Sequence, residues 1–182
     1  MTTPYPLFLR LEGRAVLVVG AGSVGARKIA ELLDAGATVT VVATVVSPYV
    51  RALPVTVHER AFETADVEGA WLVIGATNDA AVNRAIAAAA DARRVFVNAV
   101  DDPESASAFF GAVLRRPPFV VAISSSGEAP ALTRLLREVL EGALPQPHWV
   151  AAARALRAEW KRDATPMADR FPMLVRRVLD GS

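Results

Sequence analysis

The chain contains no cysteine among its 182 residues. Disulfides, thiolate nucleophiles, cysteine-ligated zinc and iron–sulfur clusters are therefore excluded from its chemistry. Histidine is scarce as well: His58 and His148 stand far apart and form no spaced metal motif. Neither charge dominates, with 20 Lys and Arg against 19 Asp and Glu. That balance gives no electrostatic case for nucleic acid as the main partner, although a local basic cleft stays open. No apolar stretch reaches the roughly 18 residues of a membrane span, because Arg, Asp or Glu interrupts every long hydrophobic segment. The opening Met-Thr-Thr-Pro-Tyr-Pro lacks the basic start and apolar centre of a signal peptide. A soluble, cytoplasmic protein without a protein-ligated metal is the expectation. What the chain does have is apolar: 53% of its residues are hydrophobic and 21% charged, enough for a folded core.

Those apolar residues alternate between two kinds of run. Arg14–Gly20 is continuously apolar after its first residue and predicts a strand buried on both faces. A helical pattern follows over 24–35, with Ile29, Leu32 and Leu33 on one side, and stops at Gly36. Thr38–Ala43, Thr56–Arg60 and Trp71–Ala76 predict three further strands. An Ala-rich helix runs from about Asn78 to Arg93, and Val95–Val100 predicts a fifth strand. Strands alternating with helices mean an α/β fold with a Rossmann-type parallel sheet. Past Ala108 the pattern changes. Ala108–Arg115 and Phe119–Ser124 read as strands joined through Arg116-Pro117-Pro118, followed by a serine-rich loop suited to capping a helix. Leu132, Leu135, Leu136, Val139 and Leu140 then recur at helical spacing, and 148–179 reads as helical with breaks at Pro166 and Pro172. The expected organisation is a Rossmann domain over 1–107, a small α+β region over 108–144 and a C-terminal helical region over 145–182.

Gly20-Ala21-Gly22-Ser23-Val24-Gly25 lies between the first strand and the first helix, the context that gives such a motif its meaning. Gly20 permits a tight turn, Gly22 lets backbone approach a pyrophosphate, and Gly25 lets the helix pack close to the strand. The helix start supplies free amides and a positive dipole end to phosphate. The usual ribose-binding acid at the end of the second strand is missing, since no Asp or Glu occurs between Asp34 and Glu59. Thr44 offers a hydroxyl there instead. Arg51 either meets a 2′-phosphate or is a solvated surface group, so NAD and NADP are not distinguished by these residues.

Ligands of a doubly wound sheet lie beyond the carboxyl ends of its strands. Asp101 and Asp102 follow the fifth strand and either meet a substrate there, as proton acceptor or donor, or simply end the strand in a turn with Pro103. Arg134 and Arg137, and Arg115 and Arg116, either bind a polyanion together or are solvated.

Taken in order, several segments resemble one family. They are Tyr5-Pro6-Leu7-Phe8-Leu9, Val16-Leu17-Val18-Val19-Gly20, Gly25-Ala26-Arg27-Lys28 and Leu32-Leu33-Asp34-Ala35-Gly36-Ala37. Further on come Ala76-Thr77-Asn78-Asp79, Asn98-Ala99-Val100-Asp101, Val121-Ala122-Ile123-Ser124-Ser125 and 130–138. Together they resemble the precorrin-2 dehydrogenases of siroheme synthesis, a family that also forms the N-terminal part of siroheme synthase. The resemblance implies oxidation of the tetrapyrrole precorrin-2 to sirohydrochlorin with NAD as hydride acceptor, and in some members insertion of ferrous iron (ferrochelatase activity). It implies a catalytic role for Asp101 and nucleotide contacts from Gly20, Gly22, Ser23, Val24, Gly25, Thr44 and Val45. Ser125 falls near the tetrapyrrole site, and Arg134 and Arg137 are candidates for its carboxylates. It further implies a homodimer built through region 108–144. The family too lacks the ribose-binding acid. This chain departs from the family in having Ala21 in place of the middle glycine of a Gly-Gly-Gly run, Gly111 where proline is usual, and Ala108 where a more hydrophobic residue is usual. Two other classes compete: a nucleotide-sensing regulatory module without catalysis, and a non-catalytic assembly subunit.

Overall fold

The computed structural model describes residues 4–100 and 103–179. Its contacts divide it into two compact units, Met1–Phe110 and Gly111–Ser182.

In the first unit five parallel strands form one sheet: β1 (Ala15–Ala21), β2 (Thr38–Val46), β3 (Thr56–His58), β4 (Leu72–Gly75) and β5 (Phe96–Ala99), ordered β3-β2-β1-β4-β5. The apolar runs are continuous because each central strand serves two cores. On one face Val16 and Val18 of β1 join Val39 and Val41 of β2, Leu72 and Ile74 of β4, and Ile29 and Leu32 of helix α1 (Ser23–Asp34). One residue out of phase, Leu17, Val19, Val42, Val73 and Val97 join Ile86, Ala87 and Ala90 on the other face. These last belong to helix α3 (Ala80–Ala92), which follows the short helix α2 (Pro48–Arg51) in the chain. Strand period two thus distributes one sequence between two layers. The chain winds from β1 outward to β3 and then returns to β4 beside β1. The direction of winding reverses between β1 and β4, which opens a crevice at their carboxyl ends.

A tight polar knot holds the segment before β4. In the 3-10 turn Thr64–Val67, Val67 is fully buried, and Asp66 accepts the Glu63 amide at 2.9 Å. Arg60 donates to both Asp66 oxygens, at 2.9 and 2.5 Å, and this guanidinium holds the carboxyl below the ordinary value of 3.8. A depressed carboxylate stabilises the fold fully above its unfolded value, and that contribution is lost as pH falls through the lower folded value. Asp66→Asn is therefore expected to cost about 1–3 kcal/mol at neutral pH, measured by urea unfolding. The gap between wild type and variant should close as pH drops below about 4. An equal gap at pH 7 and pH 3 would show that the ion pair is not its origin.

The second unit opens with an antiparallel hairpin of β6 (Ala112–Arg116) and β7 (Phe119–Ile123), paired from Ala112↔Ile123 to Arg116↔Phe119 around a cis Pro117–Pro118 bond. Helices α4 (Pro130–Ala143), α5 (Pro147–Arg162) and α6 (Met167–Leu179) complete it. Arg116 donates to the carbonyls of Leu144 and Glu141 at 3.0 and 2.9 Å, satisfying groups that the end of α4 leaves open. Two details differ from expectation. The serines do not cap α4, whose N-cap is Ala129; Ser124 and Ser125 instead accept the amides of Ser126 and Ala129 within the preceding turn. Pro172 does not break the chain but lies inside α6. As the sixth residue of α6, past its first turn, Pro172 lacks the N–H that would bond the Ala168 carbonyl, and the helix, which packs on α5, continues through it.

Candidate functional site

The glycine motif is built at the mouth of the crevice. Gly20 has φ +103°, and a Cβ there would lie 2.3 Å from the Ala76 carbonyl oxygen. A Cβ on Gly25 would lie 2.2 Å from the Gly20 carbonyl oxygen. Helix α1, the turn and the end of β4 are therefore in backbone contact. Gly22 is different: a Cβ there would meet nothing within 4 Å, and its φ of −71° suits any residue. The fold does not need glycine at 22. Its missing side chain instead leaves open space in front of the helix start, where a pyrophosphate approaches.

That helix start is chemically bare. Gly22 is the N-cap, no side chain caps the helix, and no acid stands in its first turn. The first helical hydrogen bond is Ala26 N–H to Gly22 carbonyl, at 2.9 Å, so the amides of Ser23, Val24 and Gly25 precede the intrahelical ladder. Ser23 and Val24 are exposed. Open space, outward amides and the positive end of the helix dipole together fit an anionic dinucleotide bridge.

On the adenosine side, the end of β2 is irregular. Val19 of β1 pairs with Val42, but Ala21 pairs with Val46, so Ala43, Thr44 and Val45 of β2 stand opposite Gly20 alone. The strand runs on to Val46 rather than ending near Ala43, and Thr44 and Val45 are both pushed to the exposed surface. Arg51 is ion-paired with Glu59.

At the end of β5, Asn98 is nearly buried and donates its amide to the Ala108 carbonyl at 2.9 Å. The Ser107 hydroxyl accepts the Val97 amide at 2.9 Å, and the Ser107 and Ala108 amides both return to the Val97 carbonyl. The loop that leaves after Ala99 is thereby closed at its base. Asp101 and Asp102 lie in it, outside the described residues.

Ser125, Arg134 and Arg137 belong to the second unit. The Ser125 hydroxyl accepts the Ala129 amide at 3.1 Å. Arg134 pairs with Glu138 at 3.0 Å, and Arg137 with Glu141 at 3.5 Å, each one helical turn away. Such exposed pairs contribute only about 0.3–0.5 kcal/mol, so a ligand carboxylate displaces them at little cost. Among the described residues no three His, Asp or Glu side chains gather into a potential metal site, and no helix is long and apolar enough to cross a membrane. Sequence reasoning gave no role to Asn83, which is buried in the Ala-rich α3 and bonded to Thr77 at the crevice. The only signal for it was a lone asparagine on the core-facing side of an alanine helix.

Comparison with known proteins agrees with this geometry. An NAD(P)-binding family matches residues 7–112. The chain is 48% identical over 158 residues to siroheme synthase of Tolumonas auensis, covering 86% of this chain and 33% of that protein. It is 43% identical over 171 residues to siroheme synthase of Citrobacter koseri, covering 91% and 37%. The chain thus spans about a third of the length of these relatives. Among solved structures, SirC, a precorrin-2 dehydrogenase, superposes with a TM-score of 0.75 at 26% identity, covering 96% of this chain and 89% of that one. The chain therefore belongs to the NAD(P)-binding family that its first unit matches, and within it is homologous to siroheme synthase and precorrin-2 dehydrogenase.

Proposed function

We propose that this chain oxidises precorrin-2 to sirohydrochlorin with NAD as the hydride acceptor. The observation that carries this reading is the extent of the likeness to a precorrin-2 dehydrogenase: it runs past the dinucleotide-binding half, through the hairpin and into the helices. A nucleotide-sensing module needs only the first unit. When bound, the nicotinamide supplies the hydride-accepting carbon. The amides of Ser23, Val24 and Gly25 would hold the pyrophosphate, Gly22 would give it room, the tight turn at Gly20 and the close packing at Gly25 would place those amides, and Thr44 and Val45 would flank the adenosine ribose. Loss of hydride leaves the macrocycle cationic until it gives up a proton, and Asp101 accepts that proton. Ser125, Arg134 and Arg137 are assigned to the substrate, whose carboxylates suit guanidinium partners.

The finer parts of this reading have separate supports. A homodimer is favoured by the apolar side of α4, where Leu132, Leu135 and Val139 are each more than half exposed, within a 108–144 region assigned to dimerisation and substrate. Ferrous iron is a second candidate substrate, since the pyrrole nitrogens themselves would ligate it. The cytoplasm is the assigned compartment, and 145–182 is assigned as a separate helical region.

Anaerobic incubation of the purified chain with precorrin-2 and NAD, followed by sirohydrochlorin absorbance, tests the central claim. We expect product only when dinucleotide is present. Dinucleotide binding with no turnover would overturn the dehydrogenase reading.

A further inference from the structure

The turn that leaves β4 lies against the glycine loop, and one buried side chain governs where it sits. Asn83, in the first turn of α3, is 5% exposed. Its carbonyl oxygen accepts the Thr77 hydroxyl at 2.7 Å and the Thr77 amide at 3.4 Å, and its amide donates to the Thr77 carbonyl at 3.0 Å. The orientation of the amide follows from the partners, since a peptide N–H only donates and a carbonyl only accepts. The Thr77 hydroxyl has a single proton, and the shorter contact, to Asn83 rather than to the Asp79 carbonyl at 3.0 Å, claims it. Its lone pairs then accept the Asp79 amide at 3.2 Å.

Asn83 is not needed to start its own helix, because Asp79 caps α3 through the Ala81 and Val82 amides. Among alanines, a buried asparagine lowers helix propensity and must satisfy its polar atoms. All of its side-chain hydrogen bonds among the described residues end on Thr77. Thr77 in turn abuts the glycine turn: a Cβ on Gly20 would lie 3.1 Å from its nitrogen. In the order β3-β2-β1-β4-β5 the adenosine half of a dinucleotide falls on the β2 side of the glycine loop. The β4 side therefore meets the other half.

We propose that Asn83 is a positioning residue for the nicotinamide half of the dinucleotide, acting through the Thr77 backbone that it clamps at the lip of the crevice. The inference rests on the dinucleotide-binding reading. Asn83 is buried and acts on the ligand only through Thr77, so its loss spares ligands that lack the nicotinamide half.

The test titrates NADH and ADP separately into wild type, Asn83→Leu, Thr77→Val and the double variant, with thermal unfolding of each. Leucine keeps the size and burial of Asn83 and removes its hydrogen bonds. We expect Asn83→Leu to raise the Kd for NADH about tenfold and that for ADP less than about threefold. Thr77→Val should give a smaller loss specific to NADH, and the double variant should resemble Asn83→Leu rather than the product of the two. In turnover, KM for NAD should rise while kcat stays within about threefold. Equal losses for NADH and ADP, or no loss for NADH, would overturn the proposal. If Asn83→Leu does not fold, Thr77→Val decides alone, since an unchanged NADH affinity there is equally fatal. Wild type that binds neither ligand would overturn the functional reading along with this one.

Discussion

Gly25→Ala is expected to abolish measurable dinucleotide binding, whereas Gly22→Ala should weaken binding and leave the fold intact. The two glycines differ in what surrounds them. A Cβ at 25 would stand 2.2 Å from the Gly20 carbonyl oxygen, a backbone atom with no flexible end to swing away. Relief requires α1 to withdraw from the turn, which carries the amides of Ser23 and Val24 away from the phosphate position. Overpacking of this kind costs about 1–3 kcal/mol of stability, and a displacement of the donors removes the anion site itself. Gly20→Ala should behave alike, for it adds a positive φ of +103° to a 2.3 Å contact with the Ala76 carbonyl. A Cβ at 22 meets no protein atom within 4 Å, so the melting temperature of Gly22→Ala should match wild type. Its Cβ enters the space assigned to the pyrophosphate, and NADH affinity should fall by about tenfold or more. Calorimetry with NADH and thermal unfolding on all three variants separates the cases. Full NADH affinity in Gly22→Ala would move the pyrophosphate elsewhere.

The architecture of the first unit was legible because each of its central strands is buried on two faces. Val16 to Val19 must be apolar throughout to serve both cores, and that run between a polar start and a glycine is visible in one dimension. The glycine loop was equally legible, since its meaning depends only on lying between a strand and a helix. Other features depend on partners distant in sequence. The irregularity that exposes Thr44 and Val45 exists only relative to β1, and a valine-rich run gives no sign of where its pairing slips. The pairing of Arg51 with Glu59 across a turn and a strand is of the same kind. Asn83 carries little signal in the sequence because its chemistry is directed at Thr77, before the helix begins, rather than along the helix. The serines after β7 had the right composition for a cap, but three hydroxyls close together compete, and the turn took Ser124 and Ser125.

Asp101→Ala is expected to lower kcat for precorrin-2 oxidation by about 10²–10⁴-fold while leaving the Kd for NADH within about twofold of wild type. The Val100 amide donates to the Gly75 carbonyl at 2.9 Å, holding the exit of β5 beside the end of β4. The returning chain is tied to the same place through Asn98 and Ser107. The described ends of the loop that carries Asp101 lie at the carboxyl ends of β4 and β5, apart in sequence from the glycine loop. Loss of the carboxylate should therefore spare cofactor binding and strike the proton transfer that must accompany hydride removal. Asp101→Asn keeps the size and removes the base, so it should resemble alanine. Asp101→Glu keeps the base on a longer arm and should recover part of the rate. Ser107→Ala offers a graded comparison: it loosens the loop without touching the carboxylate, and should lower kcat far less than Asp101→Ala. Turnover of Asp101→Ala within about threefold of wild type would remove Asp101 from the chemistry and leave hydride transfer without a base from this loop.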